Sequence, residues 1–358
     1  MKILFTFFVP SGGVETLNRQ RCAALIAAGV NCHVLYLRSG AGLQNHNPAT
    51  VHVLSEDAQI KILLDQQQFD AIVVTSDHIM LERLRRLGYR NLLIFEGQGF
   101  GTHSQAVEAL NLAAPYVKSF ANAVLYPPTA HLVYLFKQVY PQMQHFSFPN
   151  CFDSQAFCYQ KAPPLAYPVL AWVGRIEANK NWRGFLEIGV RMIARYPQMR
   201  LWLFEDSNLG EFVEKDKFAL AIQELNLGSR LDIFANIPHN RMAAYYSQIG
   251  DSGGLLCSTS RLEGFGYAVL EAMSCRCPVL ASDSDGIKSF IIHGVTGRFY
   301  LPDQPEDAVA HGIELMAPPA KREAIRTRAE EHVRDRFSPS VYAQNVKTML
   351  TQLGYSSK

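Results

Sequence analysis

Short runs of consecutive apolar residues alternate along the chain with longer stretches whose apolar positions recur every three or four residues. The first run, KILFTFF (Lys2–Phe8), predicts a strand, and GVETLNRQRCAALIAAG, closing at Gly29, predicts an amphipathic helix. NCHVLYL (Asn31–Leu37) is the next strand. FDAIVVTS, NLLIFEG and ANAVLYP continue the series, with helical stretches such as LERLRRLG between them. Strands separated by helices imply parallel pairing, because a parallel neighbour is reached only through a crossover. Between Asn150 and Pro168 the pattern lapses, and NCFDSQAFCYQKAPPLAYP, with three prolines, reads as a linker. Alternation then resumes. PVLAWVG, MRLWLFE, LDIFAN, GGLLCS and CPVLAS are strands, separated by helical NWRGFLEIGVRMIARY, EFVEKDKFALAIQEL, RMAAYYSQ and YAVLEAMS. From Pro305 the tail is helical, and Ser338–Pro339 suit the start of its last helix.

The expected architecture is α/β, with two Rossmann-like domains (residues 1–155 and 156–336) facing across a cleft. A length of 358 residues agrees, since one hydrophobic core seldom supports so long a chain. Composition is that of an ordinary globular protein, 48% hydrophobic and 18% charged, and a net charge of +2 gives no reason to expect nucleic acid as a partner. No apolar run approaches the ~20 residues that span a bilayer. MKILFTFFVPSGGVE has the charge and apolar run of a signal peptide but no small-residue cleavage pattern, and it fits a first strand better. Seven cysteines, without a CxxC, point to buried thiols in a reducing, cytoplasmic compartment. No Cys/His group has zinc-ligand spacing, so no metal is expected.

Chemistry concentrates in two loops of the second half. In WVGRIEANKNW a strand ends at Gly174, and Arg175 and Lys180 follow before the next helix. Parallel sheets bind ligands beyond the carboxyl ends of their strands, and both cations suit phosphate oxygens. STSRLEGFG occupies the equivalent place after GGLLCS, with a helix expected from about Gly266. Amides at that helix start would attract an anion. Glu263 precedes the helix and Glu271 lies about a turn inside it. Carboxylates beside a phosphate site need another task, and accepting hydrogen bonds from sugar hydroxyls is the natural one. Cations for a diphosphate beside carboxylates for flanking hydroxyls describe a nucleotide-sugar site.

The E-x7-E spacing of Glu263 and Glu271 within EGFGYAVLEAMSCRCPVLASD resembles that of family-4-type retaining glycosyltransferases of the GT-B fold. SGGVE, FPNCFDSQAF, GRIEANKN and DGIKSFIIHGVTGRFY fall in the same order as in that family, so the resemblance covers nearly the whole chain. It implies a helix over 337–358 packing back on the first domain. It also implies transfer of a sugar from a UDP- or GDP-sugar to a glycan, lipid-linked or small-molecule acceptor, without a metal or other cofactor. By matching position, Arg175 and Lys180 would hold the diphosphate, Glu263 the transferred sugar and Glu271 the ribose. Gly264, Phe265 and Gly266 would offer backbone amides, and Gly12 and Gly13 would let the first-domain loop approach the diphosphate. Neighbouring readings are a nucleotide-sugar 2-epimerase and a non-catalytic sugar-nucleotide binder.

The departures are specific. Where the family carries a first-domain histidine, this chain has EGQGFGTH, making Glu96, Gln98 and His103 the acceptor-side candidates. A buried Glu96 would change the local charge. Glu205 stands where a strand-ending glycine is usual and would reshape the nucleotide-base pocket, while Arg276 replaces another glycine and reads as an exposed turn residue. GQGFG (Gly97, Gly99, Gly101) misses the dinucleotide spacing. Asp283–Asp285 imitates a metal-binding DxD in a loop where the family needs no metal. Arg83, Arg85, Arg86 and Arg90 beside leucines give a basic helix that either faces solvent or makes peripheral contact with the inner membrane face.

Overall fold

The computed structural model describes residues 1–100, 103–155 and 157–355. It divides into two compact units, Met1–Asp153 with Phe337–Lys358 (unit 1) and Ser154–Arg336 (unit 2).

Among the described residues, unit 1 is built on seven parallel strands: β1 (Lys2–Phe7), β2 (Asn31–Tyr36), β3 (Thr50–Val53), β4 (Ala71–Thr75), β5 (Leu92–Glu96), β6 (Ala123–Tyr126) and β7 (Gln144–Ser147). Their order is β3-β2-β1-β4-β5-β6-β7, a doubly wound sheet whose direction of travel reverses between β1 and β4. Helices α1 (Gly12–Ala27), α2 (Asp57–Gln67), α3 (His78–Arg86), α4 (His103–Phe120) and α5 (Ala130–Val139) make the crossovers. Central strands such as AIVVT are buried throughout, as a sheet covered on both faces requires. The edge strands β3 (TVHV) and β7 (QHFS) are only partly buried. One face of an edge strand can stay wet, so neither carries the apolar run that marked the inner strands.

Unit 2 repeats the scheme. Strands β8 (Val169–Val173), β9 (Arg200–Glu205), β10 (Leu231–Ala235), β11 (Leu255–Ser258), β12 (Val279–Ser282) and β13 (Arg298–Tyr300) form a parallel sheet in the order β10-β9-β8-β11-β12-β13. Its helices are α6 (Trp182–Arg195), α7 (Phe212–Glu224), α8 (His239–Asp251), α9 (Tyr267–Ser274), α10 (Pro305–Met316) and α11 (Pro319–Arg336). The last helix, α12 (Pro339–Gln352), belongs to unit 1. Its Tyr342, Ala343, Val346, Met349 and Leu350 enter the core formed by β1, β2 and α1, and Lys347 Nζ donates to the Ala28 carbonyl at 2.6 Å.

The proline-rich linker is irregular but fixed. Gln160 N and Leu165 N donate to Ser247 Oγ (3.0 Å) and Ser252 Oγ (2.7 Å) of α8 and the turn after it, and Tyr159 donates to Asp251. The basic strip on α3 is committed to the fold. Arg83 and Arg86 share Asp57, Arg85 donates to the carbonyls of Phe120, Tyr89 and Asn91, and Arg90 donates to the Arg85 carbonyl. Among the described residues no helix is long and apolar enough to cross a membrane.

Candidate functional site

The crossovers of unit 2 change direction between β8 and β11, the place in an open parallel sheet where ligands bind beyond the strand ends. These are the two loops that carry Lys180 and Glu263. Thr259, just beyond β11, joins them: its Oγ1 accepts the indole N–H of buried Trp172 at 2.9 Å and lies 2.8 Å from the Lys180 carbonyl. Asn179 Nδ2 donates to the Leu262 carbonyl, and Arg261 N donates back to the Asn179 carbonyl. Asn181 takes a left-handed conformation (φ 49°), which asparagine tolerates, and its side chain caps α6.

The stitched loops bring Lys180 Nζ to 2.5 Å from Glu263 Oε1. Both side chains keep part of their surface exposed, at 20% and 15%, so the pair stands at the edge of solvent rather than in the core. Arg175 is more open and bonds Glu177 at 3.1 Å. Gly266 begins α9 at φ +86°, and a Cβ there would meet Ile287 Cγ2 at 2.4 Å, so glycine is demanded twice over. Gly286, after β12, packs so closely on the Glu263 carbonyl that a Cβ would lie 2.3 Å from it. Gly264 lies in this contact too, whereas the Phe265 ring is buried against Tyr267 and Phe290 and leaves only main chain to offer a ligand.

Glu271 is buried within α9, and it has a partner that sequence reasoning missed. His239 Nε2 lies 2.6 Å from Glu271 Oε1, and Tyr246 Oη donates to Oε2 at 3.4 Å. Burial, and next the Glu271 carboxylate, push the Tyr246 hydroxyl well above its ordinary pKa, keeping it a donor. The only sequence sign of His239 is its place just beyond the strand-like LDIFAN.

Residues 159–332 match the family described as Glycosyl transferases group 1. The matched residues lie within unit 2. Among curated proteins, a sucrose synthase of Solanum tuberosum is 22% identical over 282 residues, covering 75% of this chain and 34% of the relative. The chain thus spans about a third of that relative's length. Among solved structures, sucrose-phosphate synthase from Thermosynechococcus elongatus superposes with a TM-score of 0.82 at 20% identity, over 99% of this chain and 100% of that one. Anabaena HepE in complex with UDP-glucose gives 0.81 at 19% identity, over 98% and 100%. These likenesses show the GT-B fold, two Rossmann-like α/β domains.

Within the matched residues, one of the departures resolves differently from expectation. Arg276 is not a free surface arginine. It adopts φ 58°, pairs with Glu323 and Glu330 of α11, and lies over the Tyr159 ring at 5.4 Å. Glu205 ends β9 half-buried, and burial raises its pKa. Asp283 of the DxD-like stretch is paired with Lys288 at 3.0 Å. Among the described residues no group of three or more His, Cys, Asp or Glu side chains could hold a metal.

The acceptor-side candidates lie in unit 1, outside the matched residues. Glu96, at the end of β5, is buried, and the charge expected of it is offset by a residue the sequence did not single out. Arg21 of α1 places Nη1 2.8 Å from both carboxylate oxygens. Thr75 Oγ1 donates to Oε2 at 2.6 Å and Gln98 Nε2 to Oε1 at 2.9 Å. Burial works most strongly against the Arg21 charge, but the neighbouring groups together, the Glu96 carboxylate foremost, offset it and hold the guanidinium pKa above its usual value. With its acceptor positions filled in this way, Glu96 has little left for a substrate. Gln98 also exchanges hydrogen bonds with Asn150. His103 is exposed at the start of α4. Gly12 and Gly13 open α1, both exposed, with Gly12 at φ +68°. Gly101 lies outside the described residues.

Proposed function

We propose that the protein is a retaining glycosyltransferase that moves a hexose from a nucleoside diphosphate sugar, UDP- or GDP-linked, to a hydroxyl on a glycan, lipid-linked or small-molecule acceptor. The observation that carries this reading is the Lys180–Glu263 pair at the β8/β11 reversal, with Glu271 on the adjoining helix. Arg175 and Lys180 hold the diphosphate, main-chain groups of Gly264, Phe265 and Gly266 add donors, Glu263 orients the transferred sugar, and Glu271 accepts the ribose hydroxyls. HepE, a structural neighbour, has been seen with UDP-glucose, which favours a donor of the same class here.

In the proposed reaction the acceptor hydroxyl attacks C1 on the face that the diphosphate leaves. The C1–O bond to the β-phosphate breaks as the C1–O bond to the acceptor forms, and the acceptor proton passes to the departing phosphate oxygen. Negative charge accumulates on that phosphate, and Lys180 and Arg175 stabilise it by prearranged electrostatics. No step uses a metal. The products place the protein in glycan, cell-surface polysaccharide or glycoconjugate assembly.

Calorimetric titration with UDP-, GDP- and ADP-glucose, followed by turnover assays on Lys180→Ala, tests the reading. One donor should bind to the wild type, and Lys180→Ala should abolish most turnover while melting within a few degrees of it. A variant that loses fold and activity together would remove Lys180 from the site. Cleavage of the donor to an epimerised free sugar without an acceptor would favour the epimerase reading, and binding without turnover the non-catalytic one.

A further inference from the structure

A carboxylate that must receive a ribose has two problems before the ligand arrives. It is buried, and its side chain has rotamers that point elsewhere. Glu271 meets both with donors from a single neighbouring helix. His239, the first residue of α8, reaches Oε1 at 2.6 Å, and Tyr246, seven residues on, reaches Oε2 at 3.4 Å. A carboxylate has about four acceptor positions, so two donors leave about two for a ligand. A vicinal diol such as that of a ribose presents two hydroxyls.

His239 is itself held in place. Its ring packs on Phe157 with centroids 4.8 Å apart and planes 33° apart, and Phe157 also meets the Tyr246 ring edge-on at 6.2 Å. The Phe157 carbonyl in turn accepts Ser274 Oγ of α9 at 2.8 Å, which ties the linker to the helix that carries Glu271. The His239 and Glu271 side chains are 14% and 6% exposed, so the pair is sheltered and yet open at one edge.

We infer that His239 is a positioning residue: by donating from Nε2 to Glu271 Oε1 it fixes the carboxylate in the orientation that receives the ribose diol of the nucleotide. The inference rests on the proposed role of Glu271 and goes beyond it, since it makes ribose recognition depend on a residue 32 positions away on another helix.

The test is calorimetric titration with UDP, GDP and ADP, each beside its 2′,3′-dideoxy counterpart, on the wild type, His239→Leu, His239→Gln, Glu271→Ala and the double variant His239→Leu/Glu271→Ala. Leucine keeps most of the volume over Phe157 without a donor, while glutamine can restore an N–H close to the Nε2 position. His239→Leu should bind the preferred ribonucleotide about tenfold more weakly, the effect of ~1.4 kcal/mol, and should leave the dideoxy form nearly unchanged. His239→Gln should recover most of the loss, and the double variant should bind like Glu271→Ala alone. Tyr246→Phe keeps the ring and loses the second donor. It should weaken ribonucleotide binding by roughly threefold, given its longer bond, and it serves if His239→Leu does not fold. Equal loss for ribo and dideoxy forms, additive effects in the double variant, or unchanged affinity in folded His239→Leu and Tyr246→Phe would each overturn the inference while leaving the donor reading intact. If no diphosphate binds the wild type, the donor reading fails and this inference fails with it.

Discussion

Replacing Glu96 by alanine should unfold unit 1 far more readily and should do so for an electrostatic reason. The Arg21 and Glu96 side chains are 0% and 1% exposed, with Arg21 Nη1 2.8 Å from each carboxylate oxygen. Without Glu96 the guanidinium stays buried with Asn18 Oδ1 and a distant Thr75 hydroxyl (3.4 Å), neither of which carries a charge. Breaking a buried pair by removing one partner costs about 3–5 kcal/mol. For a unit of this size that is a fall in Tm of roughly 6–20 °C. Removing both charges in Arg21→Met/Glu96→Leu should recover much of the loss, because buried pairs can often be replaced by apolar residues. The assay is urea unfolding followed by far-UV circular dichroism and by tryptophan fluorescence. Trp172, Trp182 and Trp202, the three tryptophans of the chain, all lie in unit 2, so fluorescence reports that unit and the dichroism reports both. A Glu96→Ala variant within about 1 kcal/mol of the wild type would refute the argument. So would a double variant no better than the single one.

Three further outcomes follow from other parts of the fold. His33 of β2 stacks on His52 of β3 with parallel rings 5.3 Å apart, and burial, then His52 and Lys2, lower its pKa from 6.5 to about 4. Between those values the unfolded chain binds the proton and the folded chain does not, so the His33 contribution to stability is lost as pH falls from 6.5 to about 4. His33→Gln should flatten the Tm profile across that window, and an offset between variant and wild type that is constant with pH would contradict the assignment. Gly266→Ala should destabilise unit 2 by about 2–4 kcal/mol, combining left-handed strain with overpacking on Ile287. A melt unchanged from wild type would show that the turn relaxes freely. Arg276→Gly should lower the Tm of unit 2 despite relieving φ 58°, because it removes the pairing with Glu323 and Glu330. A higher Tm would mean that the backbone conformation dominates.

The inner strands could be read from sequence because burial on both faces leaves little room for polar residues. The same logic hid β3 and β7, whose half-wet edge positions dilute the apolar signal. Lys180 and Glu263 were legible because each sits in a loop directly beyond a buried strand, and a parallel sheet gathers such loops along one edge. Arg21 was not. A charged residue on a helix ordinarily belongs to the wet face, and only the arrival of Glu96 from 75 positions away makes its burial tolerable. His239 was hidden for a related reason, since a lone histidine in NIPHN has no spacing to mark it. Its partner is supplied by the tertiary packing of α8 on α9.

Retaining transfer from a nucleotide sugar can be read from proton NMR of the anomeric centre. The protein is incubated with the α-linked UDP- or GDP-sugar that binds it and with a panel of hydroxyl acceptors. The donor signal should decay as a new α-anomeric signal grows in step with free nucleoside diphosphate. A β-anomeric product would contradict it, as would a donor that binds yet transfers to no acceptor in the panel.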